Sequence, residues 1–146
     1  MSEEGTMSEA VATRDSGRAV NQMLAGVATL VAIDLVGGVV SISADANTPA
    51  EAWGSAALLA APWPMIVAQV ALAGAAYRWP DRRGAAAPGL LSLACLASAV
   101  SGFFDGGLGN SAVPDSVAPV QWLLVGATAV VGVLAARAAA RLWRRG

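Results

Sequence analysis

Four stretches of the chain are apolar at nearly every position. They are separated by short polar segments, and none of them alternates with the period of two that a half-buried strand would show. The stretches cover about 19–42, 52–77, 85–104 and 117–138. Each meets or exceeds the roughly 20 residues a helix needs to cross a hydrocarbon layer of about 30 Å. The pattern predicts an all-α integral membrane protein, a four-helix transmembrane bundle with short loops. Residues 1–18 carry Glu3, Glu4, Glu9 and Asp15 against Arg14 and Arg18, with no apolar periodicity. They read as a disordered tail ahead of a single membrane domain over 19–146.

The connecting segments differ in character. Ser43 to Glu51 is a short polar loop with turn-favouring Asn47 and Pro49, Arg78 to Gly84 is a tight basic hairpin, and Asp105 to Ser116 is Gly-rich. Pro88 and Pro119 fall in the first turns of the third and fourth stretches, where a missing N–H is tolerated. Pro62 and Pro64 do not. The second stretch would be roughly 39 Å long as one straight helix, and these two prolines inside it predict a tilt or a helix break. The carbonyls of Leu58 and Ala60 would then lack their normal helical donors.

Charge gives the bundle a direction. With 56% hydrophobic and 13% charged residues the chain is too apolar to cover itself as a soluble domain. All nine positive charges are arginines, and they lie in the N-terminal tail, the second loop and the C-terminus; the first and third loops hold none. The positive-inside bias therefore predicts cytoplasmic N- and C-termini in an inner or plasma membrane. Trp53 and Trp122 would mark the outer interface and Trp79 and Trp143 the inner one, leaving Trp63 between the mid-span prolines. Arginine without lysine, beside abundant alanine, matches a GC-rich bacterial genome. Ala44-Asp45-Ala46 resembles a signal-peptide cleavage site, but the preceding run is too long and contains Asp34, so an uncleaved first span is expected.

Candidate chemistry is sparse. The chain has no histidine and one cysteine, Cys95, so haem and zinc sites of the usual kind, histidine-dependent nucleophilic catalysis and an intrachain disulfide are not available. No metal, cofactor or nucleic acid is expected. The one strong signal is Asp34, a carboxylate inside a span, where insertion costs on the order of 3 kcal/mol and the group is either paired or protonated. It lies about 12 Å below the outer interface. At that depth the other spans offer Pro62, Trp63 and Pro64, then Ser98 with Cys95, then Gln121 to Thr128. The candidate proton- or ligand-binding set is thus Asp34, Trp63, Ser98 and Gln121, with a protonated Asp34 donating to the carbonyl of Leu58 or Ala60. Asp34 reads equally as a structural hydrogen bond that fixes helix packing. Gly37 and Gly38, and Ala94, Ser98 and Gly102, allow close approach of neighbouring segments, or of a second copy of the chain.

Four short spans with a single acid in the first resemble the small multidrug-resistance transporters, and the likeness covers the span count and Asp34. It implies a carboxylate that exchanges protons for cationic substrates. The acid here is aspartate rather than glutamate, and VAIDLVGG does not reproduce that family's surrounding pattern. The residues themselves point to a non-enzymatic membrane protein, an accessory or structural partner in contact with the lipid bilayer and with other membrane proteins or further copies of itself. The alternative is a small oligomeric proton-coupled transporter using Asp34. A topology reporter fused after Gly146 is expected to be active on the cytoplasmic side; activity only outside the cell would refute the orientation.

Overall fold

Apart from Gly38, the buried positions described in the first helix recur at alternating steps of four and three: Ser16, Val20, Met23, Val27, Leu30, Asp34, Gly37 and Ser41. This is the 3.5-residue seam of helices that cross at a shallow angle. The computed structural model describes residues 3–104 and 115–145. Among them are four α-helices, α1 (Glu3–Ser43), α2 (Trp63–Arg78), α3 (Ala86–Phe104) and α4 (Ala118–Trp143), with short 3₁₀ turns at Arg83–Ala85 and Asp115–Val117 and no strand. The seam of α1 meets Val131, Ala135, Ala138 and Leu142 of α4, Leu91 and Cys95 of α3, and Ala73 and Ala76 of α2 in one core. Much of this core is alanine, so the backbones approach closely and dispersion between small side chains replaces interdigitation of large ones.

The outward faces are also apolar. Val36, Val39, Val67, Val70, Leu93, Val100, Leu123 and Val130 are all exposed. Three segments, Thr13–Ser43, Arg83–Gly102 and Asp115–Trp143, are helical, long and apolar enough to cross a membrane.

Two expectations fail. The predicted disordered tail is helical from Glu3, continuous with the first span. Glu, Ala, Met and Arg are good helix formers, and the segment holds no proline. It is also tied down: Arg141 pairs with Asp15 at 3.3 Å, and the Arg145 guanidinium donates to the carbonyls of Thr13 and Pro80. The guanidinium of Arg82 lies 4.2 Å from the Trp143 ring centroid. The arginines of three separate segments therefore gather at one end of the bundle.

The second failure is the predicted helix over 52–77. Only Trp63–Arg78 is helical, about 24 Å long at 1.5 Å per residue, with Pro62 at its N-cap and Pro64 in its first turn. Residues 44–62 form an irregular loop that folds back against α1, burying Ala52, Leu59 and Ala60. Proline cannot donate to a preceding turn, and it steers the residue before it out of the α region, which disfavours helix at Ala61. The third-loop acid Asp105 lies outside the described residues.

The loop can reach α1 because two glycines leave room. A Cβ built on Gly37 would stand 1.9 Å from the carbonyl oxygen of Leu59, and one on Gly38 would stand 2.2 Å from the Trp53 ring. The close approach expected at this glycine pair is therefore made by loop backbone and an indole. Gly37→Ala is expected to destabilise the protein by about 1–3 kcal/mol through overpacking. Gly74→Ala, whose Cβ would meet nothing within 4 Å, should be neutral or stabilising by up to roughly 1 kcal/mol. Thermal unfolding of the two variants in the same detergent checks the contrast.

Candidate functional site

Asp34 is the one charged side chain on the buried seam of α1, and the loop is built around it. One carboxylate oxygen, Oδ1, accepts the N–H of Ala61 at 2.8 Å, and the Asp34 backbone carbonyl accepts the indole N–H of Trp53 at 3.2 Å. The Trp53 carbonyl in turn accepts the N–H of Trp63 at 3.0 Å, so the two ends of the segment leading into α2 are joined. The polarity is the reverse of the one expected from sequence. Asp34 does not donate to the carbonyl of Leu58 or Ala60; it accepts from the amide that the broken helix leaves over.

Asn47 does the same further out. Its Nδ2 donates to the Ala56 carbonyl at 3.1 Å, and its Oδ1 accepts the Leu58 N–H at 3.1 Å, so one side chain replaces two backbone partners. At the exposed turn, Glu51 Oε2 accepts both the N–H and the hydroxyl of Thr48. These two bonds favour the ionised form and hold the Glu51 carboxyl below its ordinary range.

The other carboxylate oxygen of Asp34, Oδ2, is buried and has no hydrogen-bond partner among the described residues, although the side chain is 0% exposed. Asp34 lines a cavity of about 170 Å³ between α1, the end of the loop, α2, α3 and α4. Gln69, Ser98 and Thr128 line it too. Gln69 is only 8% exposed, and its Oε1 likewise has no partner among the described residues. Cys95 lies next to this space but lines a smaller cavity of about 70 Å³ shared with Gln69 and Ser98.

Of the residues picked out in the sequence, Asp34 and Ser98 therefore come together and two do not. Trp63 is 52% exposed and faces outward, its ring 6.1 Å from that of Trp53 and tilted by 35°. Gln121 is buried at the start of α4, outside the cavity lining. Trp53, expected at the outer interface, is tucked over Gly38, while Trp63, expected beside the kink, is exposed like Trp79, Trp122 and Trp143. Gln69 was not singled out. Its signal was an amide on the Ile66, Gln69, Ala73, Ala76 stripe of α2, in step with the buried positions.

Among the described residues, no group of three or more His, Cys, Asp or Glu side chains could hold a metal ion. No protein-family model, curated protein or solved structure matches this chain.

Replacing Asp34 separates its two jobs. Asp34→Asn keeps an oxygen for the Ala61 N–H, whereas Asp34→Leu leaves that buried donor unsatisfied, at a cost of about 1–3 kcal/mol. Asp34→Leu should thus melt lower than Asp34→Asn and expose 44–62 to limited proteolysis. Equal melting and equal cleavage of the two variants would mean that the Oδ1 bond does not hold the loop.

Proposed function

We propose that this chain is a small, non-enzymatic integral protein of the cell membrane that serves as an accessory or structural partner of other membrane proteins. In this reading the chain crosses the bilayer four times, with both termini on the cytoplasmic side. The second crossing is made by loop residues in its outer part and by α2 in its inner part. The observation that carries the proposal is the use made of the buried acid. Asp34 fastens the chain to itself, to Ala61 through its carboxylate and to Trp53 through its carbonyl. Non-helical backbone at membrane depth is tolerated when protein groups satisfy it in this way. The outward helical faces, rich in exposed Val and Leu, are then left for lipid and for lateral contact with partner helices. The arginine-rich end would rest against anionic headgroups.

A proton-coupled transporter is the second reading, and one observation favours it: Oδ2 of Asp34 is unpartnered on a cavity beside a discontinuous span. The two readings part on purification and flux. Mild-detergent extraction of the tagged chain from native membrane, after lateral cross-linking, is expected to yield a defined membrane-protein partner, and proteoliposomes of the purified chain should show no proton flux dependent on Asp34. A chain recovered only as copies of itself, with a flux that Asp34→Asn abolishes, would reverse the order.

A further inference from the structure

The unpartnered oxygens of Asp34 and Gln69 belong to one space, and their chemistry specifies what would fill it. Two buried acceptors on one cavity form an unusual pairing, because a buried polar atom left without a partner costs about 1–3 kcal/mol. A hydroxyl adds to the acceptor character. Thr128 Oγ1 donates its proton to the Leu124 carbonyl at 2.8 Å, so toward the cavity it can present only lone pairs. The Ser98 hydroxyl lines the same wall. The lining contains no arginine and no thiol; its one sulfur is the thioether of Met65, and Cys95 belongs to the neighbouring smaller cavity.

We propose that this cavity is a binding site for a monovalent metal cation of the sodium class, held by Asp34 Oδ2 with the neutral oxygens of Gln69, Ser98 and Thr128. A set of one carboxylate and neutral oxygens, with no thiolate and only the weak Met65 thioether beside it, selects a hard cation over a thiophilic one. One carboxylate selects a single positive charge, since a divalent ion would leave a net charge uncompensated in an apolar bundle. A water molecule alone satisfies hydrogen bonds but not the carboxylate's charge. At about 170 Å³ the cavity has room for the ion with part of its hydration. The site also couples to the loop. The carboxylate that would hold the ion with Oδ2 holds the Ala61 N–H with Oδ1, and Ala60, Ala61 and Pro62 form part of the wall. Bound cation should therefore tighten the loop against α1. The site stands whether the chain works as an accessory protein or as a transporter, because occupancy requires neither partner nor flux.

The test uses the full chain in detergent or nanodiscs at constant pH and ionic strength, with sodium chloride replacing choline chloride. The expected result is a saturable rise in Tm of about 3–6 °C, accompanied by a change in tryptophan emission, since the Trp53 indole is bonded to the Asp34 carbonyl. Asp34→Asn should abolish both responses. Should that variant fail to fold, Gln69→Leu, which leaves the Ala61 bond untouched, should raise the half-saturating sodium concentration about tenfold or more. Identical melting in sodium and choline overturns the proposal, as does a sodium response that survives in Asp34→Asn or is unchanged in Gln69→Leu. Stabilisation that follows pH equally in the two salts would show that a proton alone occupies the site, and it too overturns the proposal.

Discussion

A peptide group that leaves a helix inside an apolar bundle must find another partner, and most of this architecture follows from how residues 44–62 meet that demand. A helix would have satisfied the segment internally, but Pro62 and Pro64 prevent one that runs on continuously into α2, and residues 44–62 are irregular. The partners come instead from side chains. Asn47 serves the Ala56 carbonyl and the Leu58 N–H, and Asp34 serves the Ala61 N–H while its carbonyl receives Trp53. The Asn47 bonds are internal to the loop, but Asp34 would not reach Ala61 if the loop were held a side-chain width away from α1. The absence of Cβ atoms at Gly37 and Gly38 is therefore part of the same hydrogen-bond scheme: the glycines set the distance, and the polar groups exploit it.

The two ends of the bundle are closed by different physics. At the loop end the bonds are 2.8–3.2 Å long and part-buried, in surroundings where an unmade bond is expensive. At the arginine end they are exposed. The Asp15–Arg141 pair has both side chains about half accessible, and such pairs contribute roughly 0–1 kcal/mol each. Several contacts there, including Arg145 with two carbonyls and Arg82 against Trp143, act together where each alone would be weak.

The long, uninterrupted elements were the legible ones. The third stretch, expected over 85–104, forms a helix at Ala86–Phe104, and the fourth begins at Ala118, one residue from its expected start, because a proline in the first turn marks each beginning. What could not be read was decided by tertiary partners. Residues 3–18 have helix-forming composition but no apolar stripe, and the contacts that hold Thr13 and Asp15 come from Arg145 and Arg141, more than 120 residues away in the chain. Pro62 and Pro64 announced a break without saying which side of it would stay helical. That outcome rests on Asn47 and Asp34 being within reach of the loop's amides. The same limit applies to the cavity: Asp34 and Ser98 were visible as isolated polar residues, while Gln69 gained meaning only once α2 was shortened and its buried face defined.

The arginine closure also implies an order of assembly. The contacts that pin the loop to α1 join residues 19 to 27 positions apart, so they become available soon after the first third of the chain has been synthesised. Those that tie α1 to α4 span 126 and 132 positions, and nothing can make them until nearly the whole chain exists. Until then the first helix is fastened at its loop end and unfastened at the other. A nascent chain interrupted before Arg141 would hold its buried acid in place and still lack the clasp that aligns α1 with the rest of the bundle, so quality control would meet a half-locked protein rather than an unfolded one.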